Sequence, residues 1–129
     1  MDNKLKIGLN AIIEKIVTEE DTAINHGSGT LKVYATPAMI GLMENTSKNA
    51  VDLYLDSGYT TVGIEINVKH IKATPIGMKV KCESVVKDIQ GKKIIFLTKV
   101  YDENGLVGEG THSRYIVNAD NFMKNLGNK

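Results

Sequence analysis

The stretch ATPAMIGLMENTSKNA, residues 35–50, has the pattern of a helix that is buried on most of its circumference. Thr36 is a suitable N-cap, and Pro37 suits the first helical position, where its missing N–H is not needed. At 100° per residue, the inward-facing side chains cover well over half of the helix as far as residue 55. These side chains are Met39, Ile40, Leu42, Met43, Thr46, Ala50, Val51, Leu53, Tyr54 and Leu55. The sequence DSGYT, residues 56–60, predicts the end of the helix, with Gly58 as its terminator.

After residue 60 the hydrophobic period changes from that of a helix to that of strands. One predicted row faces the helix and contains Val62, Ile64, Ile66 and Val68, and a second contains Met78, Val80, Cys82, Ser84 and Val86. The sequences IQGKK and DENG predict turns into two further strands. A long helix followed by four antiparallel strands predicts an α+β fold, in which a curved antiparallel sheet wraps around a single helix.

The N-terminal third has weaker signals. Residues 10–17 (NAIIEKIV) suit a strand, residues 18–30 are polar and Gly-rich and predict a loop, and residues 31–34 suit a short strand. No linker or internal repeat divides the sequence. We therefore expect residues 1–129 to form a single domain.

Composition excludes several classes of function. The formal net charge is +1, with basic residues spread through the chain, so neither nucleic acid nor an acidic membrane is an expected partner. A single cysteine, Cys82, rules out an internal disulfide and fits a reducing compartment. The N-terminus lacks signal-peptide character, and no apolar segment approaches the length of a membrane span. A cytoplasmic location is expected.

Glu44 lies inside the apolar arc of the predicted helix. A desolvated carboxylate must be paired, protonated or facing a cavity, although a flexible stem at the margin of the arc can also reach solvent. His70 continues the inward register of the first strand row, so it is expected on the same side as Glu44. Together the two could form an acid/base set, and Thr36 adds a hydroxyl at the helix start. A core histidine and a plain N-cap are the alternative interpretations.

Other polar residues give weaker signals. His112 and Arg114 share a strand face with Gly108 and Gly110, which predicts close approach of a ligand or backbone, a solvated face or a subunit contact. The three histidines lack metal-ligand spacing, and no phosphate-binding loop is found. No metal is expected.

Three segments together resemble one enzyme family. TPAMIGLME, TTVGIEINVKHIKATPIGMKV and GEGTHSRYIV are similar to the fluoroacetyl-CoA thioesterase branch of the hot-dog-fold acyl-CoA thioesterases, over roughly residues 31–123. The resemblance implies a hot-dog fold and a homodimer joined edge to edge, with pairing of dimers into tetramers left open. It also implies active sites at the dimer interface.

The resemblance implies specific roles for five residues. Thr36, Glu44 and His70 match the family's catalytic set, Gly63 lies near the thioester carbonyl, and Arg114 matches an arginine of the acyl-binding site. Glu44 would attack the carbonyl or activate a water, and His70 would protonate the sulfur or activate the water. No cofactor is implied, since coenzyme A is part of the substrate.

One departure from the family concerns specificity. The fluoroacetyl-specific enzyme has a phenylalanine-rich lid before the helix, whereas this chain reads NHGSGTLKVY there. A short- or medium-chain acyl-CoA is therefore the expected substrate, and Lys69, Lys72 and Lys79 are candidates for holding coenzyme A. A non-catalytic acyl-CoA sensor is the main alternative. A hot-dog hydratase is disfavoured because its closely spaced Asp–His pair is absent.

Overall fold

A computed structural model describes residues 4–127, which form a five-stranded antiparallel sheet wrapped around one long helix. The strands are β1 (Asn10–Ile16), β2 (Tyr59–His70), β3 (Lys79–Gln90), β4 (Lys93–Asp102) and β5 (Gly105–Asn118). The helices are α1 (Ala23–His26), α2 (Thr36–Val51) and α3 (Ala119–Gly127). The strand order is β1-β3-β4-β5-β2, so β1 and β2 are the edges of the sheet. The predicted α+β architecture is confirmed.

Helix α2 packs on the inner face of the sheet, chiefly against β1 and β3. Its buried side chains meet the inward row of β3, which the period-2 pattern predicts correctly. The core residues that lose all exposure include Met39, Met43, Val51, Val80, Cys82, Ile94, Phe96, Val100 and Val107. Burial of such side chains stabilises a domain by about 1.5–3 kcal/mol each. The polar groups carried by α2 are therefore held on a rigid element.

The two ends of α2 differ from the prediction. Ala35 is the N-cap, and Thr36 is already helical, so its hydroxyl does not cap the backbone. The α-helix ends at Val51 and tightens into a 3-10 turn, Asp52–Tyr54. Because a 3-10 turn advances by about 120° per residue, the predicted inward register is lost, and Leu53 is 88% exposed. Gly58, at φ 86°, lies in the turn before β2 and does not end the helix.

A β-bulge between Gly63 and Glu65 changes which residues of β2 face the helix. Opposite residues of an antiparallel pair share a face, and Gly63 lies opposite the buried Arg114. Gly63 therefore faces inward, and Ile64 is turned to the outer face with 52% exposure. The predicted inward row is wrong before the bulge, at Val62 and Ile64. It is correct after the bulge, where Ile66, Val68 and His70 face α2.

The segment between β1 and α2 contains more structure than the predicted loop. Residues Glu19–Asp21 form a 3-10 turn and Ala23–His26 form α1, which ends at Gly27. The strand expected at residues 31–34 is reduced to isolated bridges from Tyr34 to Thr22 and from Val33 to Pro75. In the described part of the chain, no helix has the length and apolar character needed to cross a membrane.

Candidate active site

Thr36 and His70 form a direct contact at the N-terminal end of α2. The Thr36 hydroxyl lies 2.8 Å from Nδ1 of His70, which is the last residue of β2. The buried ring of Tyr34 meets the imidazole edge to face, with 6.2 Å between ring centroids. Within residues 4–127, the buried Nε2 of His70 has no hydrogen-bond partner. The ring is thus held through Nδ1, while the backbone of Lys72 beside it favours the protonated imidazole against the effect of burial.

A cleft of about 330 Å³ opens beside this pair. Its lining comprises Ala23, Ser28, Val33, Tyr34, Thr36, His70, Ile71, Lys72 and Ala73. Ser28, Val33 and Tyr34 come from NHGSGTLKVY, the segment that lacks the family's phenylalanine-rich lid, and of these three only Tyr34 has a large side chain. Lys72, which also lines the cleft, is fixed by Asp102, whose Oδ1 lies 2.7 Å from its Nζ. The cleft therefore combines an imidazole with an anchored ammonium group.

Glu44 lies two turns further along α2, over Gly63. A β-carbon built on Gly63 would lie 3.1 Å from Glu44 Oε2, 3.3 Å from His112 Cε1 and 3.4 Å from Arg114 Nη1. The absent side chain of Gly63 therefore leaves the space in which these three groups meet. Glu44 is half-buried, and its carboxylate makes no hydrogen bond or ion pair with the described residues. The prediction of an inward carboxylate that faces open space is consistent with this geometry.

Arg114 is 7% exposed and held by Thr61. Its Nε donates to the Thr61 hydroxyl at 2.7 Å, and its Nη2 donates to the Thr61 carbonyl at 3.0 Å. Burial lowers the pKa of the guanidinium, and the nearby charges of Glu44 and Asp52 partly offset this effect. A planar cation fixed in this way is suited to binding an acyl or carbonyl oxygen.

The sequence interpretation underrated His112. It lies on β5 two residues before Arg114, its ring stacks on Phe96, and it is 1% exposed. Its shared strand face with Arg114 was predicted, and a further signal was present, since Arg114 is the only arginine in the sequence. A single arginine among many lysines indicates a position that needs a guanidinium.

The five predicted site residues form two separate groups within one chain. Thr36 and His70 are in contact, whereas Glu44 and Arg114 border the same space above Gly63. Along α2, Thr36 and Glu44 are separated by about 12 Å at 1.5 Å per residue. Along β2, Gly63 and His70 are separated by roughly 20 Å. A single chain therefore does not bring all five residues around one point.

Two further lysines were predicted as candidates for holding coenzyme A. Lys79 pairs with Glu14 at 3.6 Å, and Lys69 is exposed on β2. Cys82 is a free, fully buried core residue, as predicted. Among residues 4–127 there is no cluster of three His, Cys, Asp or Glu side chains suited to a metal ion.

The half-buried His70 and the buried His112 make stability depend on pH. Burial lowers the pKa of His70 and of His112 from the ordinary value of 6.5, so the unfolded chain binds more protons than the folded chain below that pH. The free energy of unfolding should therefore fall between pH 7.5 and 5.5. The slope approaches about 1.4 kcal/mol per pH unit for each histidine that stays neutral when folded. Urea unfolding at both pH values measures this change, and equal stabilities would contradict it.

Acidic groups act in a different pH window. Burial raises the pKa of Asp21 and of Asp102, but hydrogen bonds and the neighbouring lysines Lys15 and Lys72 outweigh it, so both pKa values lie below 3.8. Their stabilisation is present above the unfolded pKa and is lost only as the pH falls below about 4. The loss between pH 7.5 and 5.5 is therefore attributable to the histidines.

Comparison with known proteins identifies the family. A family model described as fluoroacetyl-CoA-specific thioesterase matches residues 17–120. The fluoroacetyl-CoA thioesterase of Streptantibioticus cattleyicolor is 31% identical over 98 residues, which are 76% of this chain and 70% of that protein.

Solved structures agree with this assignment. A structure of the fluoroacetyl-CoA thioesterase FlK is 25% identical, covers 97% of both chains and gives a TM-score of 0.90. A hot-dog-like protein from Thermanaerovibrio acidaminovorans, 22% identical, covers 97% of this chain and 93% of its own, with a TM-score of 0.89. The predicted hot-dog fold is confirmed. The chain belongs to the fluoroacetyl-CoA-specific thioesterase family and is a thioester hydrolase.

Proposed function

We propose that the enzyme hydrolyses short- or medium-chain acyl-CoA thioesters at a site assembled from two copies of the chain. The observation that carries this proposal is the half-buried carboxylate of Glu44 over the open surface of Gly63, beside the Arg114 guanidinium. A carboxylate held next to space for a carbonyl, with a fixed cation beside it, is suited to attack on an acyl group. Family membership supports the same reaction class.

Joining two β2 edges would complete the site. Strand β2 is 12 residues long and lies at the edge of the sheet, where backbone N–H and C=O groups are left unpaired. In an antiparallel pair around a two-fold axis, residues at equal distances from the centre lie opposite each other. A centre at Asn67 would, once the extra residue of the bulge is counted, set His70 opposite Gly63 of the partner subunit, and both residues face the helical side of the sheet.

The two groups of residues would then act on one thioester. Glu44 and Arg114 of one protomer would meet Thr36 and His70 of the other around the carbonyl. Glu44 supplies the carboxylate that acts on the carbonyl carbon, directly or through a water. The N-terminal N–H groups of α2, at the positive end of the helix dipole, stabilise the developing oxyanion.

His70 would transfer the proton. Burial lowers its pKa, so the imidazole is neutral near pH 7 and can accept a proton from water or pass one to the departing coenzyme A sulfur. Thr36 orients the ring through Nδ1 and leaves Nε2 to react. No cofactor takes part in this scheme.

The cleft wall bears on acyl specificity. Its residues Ala23, Ser28 and Val33 have small side chains, and Tyr34, which also lines the cleft, is 2% exposed and packs against the imidazole of His70. With no bulky group to select a particular acyl substituent, kcat/KM for fluoroacetyl-CoA should lie within about tenfold of that for acetyl-CoA. Longer acyl groups, up to medium chains, should also be accepted.

A panel of acyl-CoA thioesters tests the proposal. Release of free thiol would be followed for acetyl- through decanoyl-CoA, with phenylacetyl- and fluoroacetyl-CoA included. We expect turnover of several short or medium chains by a species with the mass of two chains in light scattering. Binding without release of thiol from any member would contradict the proposal and favour an acyl-CoA sensor. A strictly monomeric active enzyme would contradict the two-chain site.

Gly63→Ala is expected to lower kcat/KM by about tenfold. The added methyl group would lie 3.1 Å from Glu44 Oε2, 3.3 Å from His112 Cε1 and 3.4 Å from Arg114 Nη1, which moves these groups by a few tenths of an ångström. Because a Glu side chain can yield, the urea midpoint should change little. Gly127→Ala, at an exposed position where a β-carbon meets nothing within 4 Å, is the matched control. Full activity of Gly63→Ala would show that this space is not used.

A further inference from the structure

The hydrogen bonds of His112 define its protonation state. Its Nδ1 lies 2.8 Å from the backbone carbonyl oxygen of Glu65, which can only accept a hydrogen bond. Its Nε2 lies 3.1 Å from Nη1 of Arg114, which can only donate. Both contacts are satisfied only by the neutral imidazole with its proton on Nδ1. In this state His112 is an acceptor fixed against the guanidinium.

His112 completes the restraint on Arg114. Thr61 holds Nε and Nη2, and His112 holds Nη1, so each guanidinium nitrogen has a partner. Of the five N–H groups of an arginine, these contacts use three, and two remain. Nη1, which carries one of those two, borders the space above Gly63, where Glu44 also lies. The guanidinium is thus restrained at all three nitrogens and keeps two N–H donors for a ligand.

We infer that His112 is a positioning residue that fixes Arg114 for acyl-CoA binding, and that protonation of His112 releases Arg114. The inference rests on the proposed function, in which Arg114 binds the acyl-CoA. A proton on Nε2 would point at an N–H of Arg114, and two donors cannot share a hydrogen bond. The bond between the two side chains would then break. Substrate binding should therefore weaken at acidic pH.

The groups packed around His112 favour its neutral form near pH 7. On β5 the positive charge of Arg114 opposes protonation of His112, whereas the negative charge of Glu44 on α2 favours it. The backbone carbonyl of Glu65 on β2 accepts a hydrogen bond from Nδ1, and Phe96 on β4 covers the ring. Burial is the largest effect and lowers the pKa. Arg114 is therefore restrained near neutral pH and is released on the acid side.

The first experiment observes Arg114 directly and does not depend on activity. Because the sequence contains one arginine, its side-chain Nε–H gives a single signal in a ¹⁵N-correlated NMR spectrum. We expect slow solvent exchange at pH 7.5 in the wild type and exchange about tenfold faster in His112→Phe. Because hydroxide catalyses this exchange, each rate is divided by that of free arginine at the same pH. From pH 7.5 to 5.5 this ratio should rise in the wild type but not in His112→Gln, which keeps a non-titrating acceptor. Equal exchange in all three proteins at both pH values would overturn the inference.

The second experiment separates positioning from a merely structural role. His112→Phe keeps an aromatic ring on Phe96, and it should raise KM about tenfold with kcat changed less than threefold. The KM of His112→Gln should lie close to the wild-type value, because glutamine keeps an acceptor for Arg114. In an Arg114→Ala background, adding His112→Phe should change KM less than twofold, because the group through which His112 acts is gone.

The outcomes distinguish this inference from the proposed function. If no acyl-CoA in the panel is hydrolysed, the proposed function fails, while the NMR experiment still shows whether His112 restrains Arg114. If hydrolysis occurs but His112→Phe leaves KM unchanged, or raises it equally in both backgrounds, the inference is overturned and the thioesterase proposal stands.

Discussion

Glu44→Gln is expected to lower kcat/KM for acyl-CoA hydrolysis by about 10³-fold. The glutamine has the same shape but is neither a nucleophile nor a base, and loss of such a group typically costs 10²–10⁴-fold. The substrate should still bind, because Arg114 and the cleft are unchanged. Steady-state kinetics with the preferred acyl-CoA measures the loss.

The fold of Glu44→Gln should be intact. Glu44 makes no hydrogen bond to the described residues, so no structural partner is left unsatisfied, and the free energy of unfolding should change by less than about 1 kcal/mol. Glu109→Gln is the matched control, since Glu109 is exposed on β5, and its activity should equal that of the wild type. Turnover by Glu44→Gln within a few fold of the wild type would remove Glu44 from the mechanism.

His70→Ala is expected to lower kcat by about 10²-fold or more. The substitution removes the buried Nε2 that would transfer the proton, and it leaves the Thr36 hydroxyl without the ring it contacts. The pH dependence of kcat should change as well, because the contribution of His70 to its acid limb would disappear, whereas the His112-dependent rise of KM at acidic pH would remain.

A second histidine provides the control for His70. His26, the last residue of α1, is exposed, and His26→Ala should keep activity within twofold. His70 also packs against Tyr34, so urea unfolding of His70→Ala must accompany the kinetics. A folded His70→Ala enzyme with wild-type kcat would show that proton transfer uses another group.

The fold was predictable where periodicity is strong. The helix following Thr36 and the inward row of β3 are long, regular patterns, and the structure confirms both. A bulge adds one residue without any change in composition, so the pattern of Val62 and Ile64 is the same whether these residues face the core or solvent. The sequence around Leu53 likewise does not distinguish a further α-helical turn from a 3-10 turn.

Only part of the site was predictable from the sequence. The inward carboxylate of Glu44 and the inward His70 followed from helical and strand periods. The contact between Thr36 and His70 did not, because it depends on Ala35 being the N-cap, which frees the Thr36 hydroxyl for the imidazole. The role of His112 depends on hydrogen bonds to a backbone carbonyl across the sheet. Contacts of that kind leave no trace in local sequence.

The most direct test of the two-chain site is the activity of a heterodimer between Glu44→Gln and His70→Ala. The two chains would carry different affinity tags, so that the mixed dimer can be purified and compared with wild-type dimers treated in the same way. One of its two sites would combine the intact Glu44 of one chain with the intact His70 of the other. We predict about half the activity of the wild-type dimer from two nearly inactive parents. A mixed dimer no more active than its parents would contradict the account.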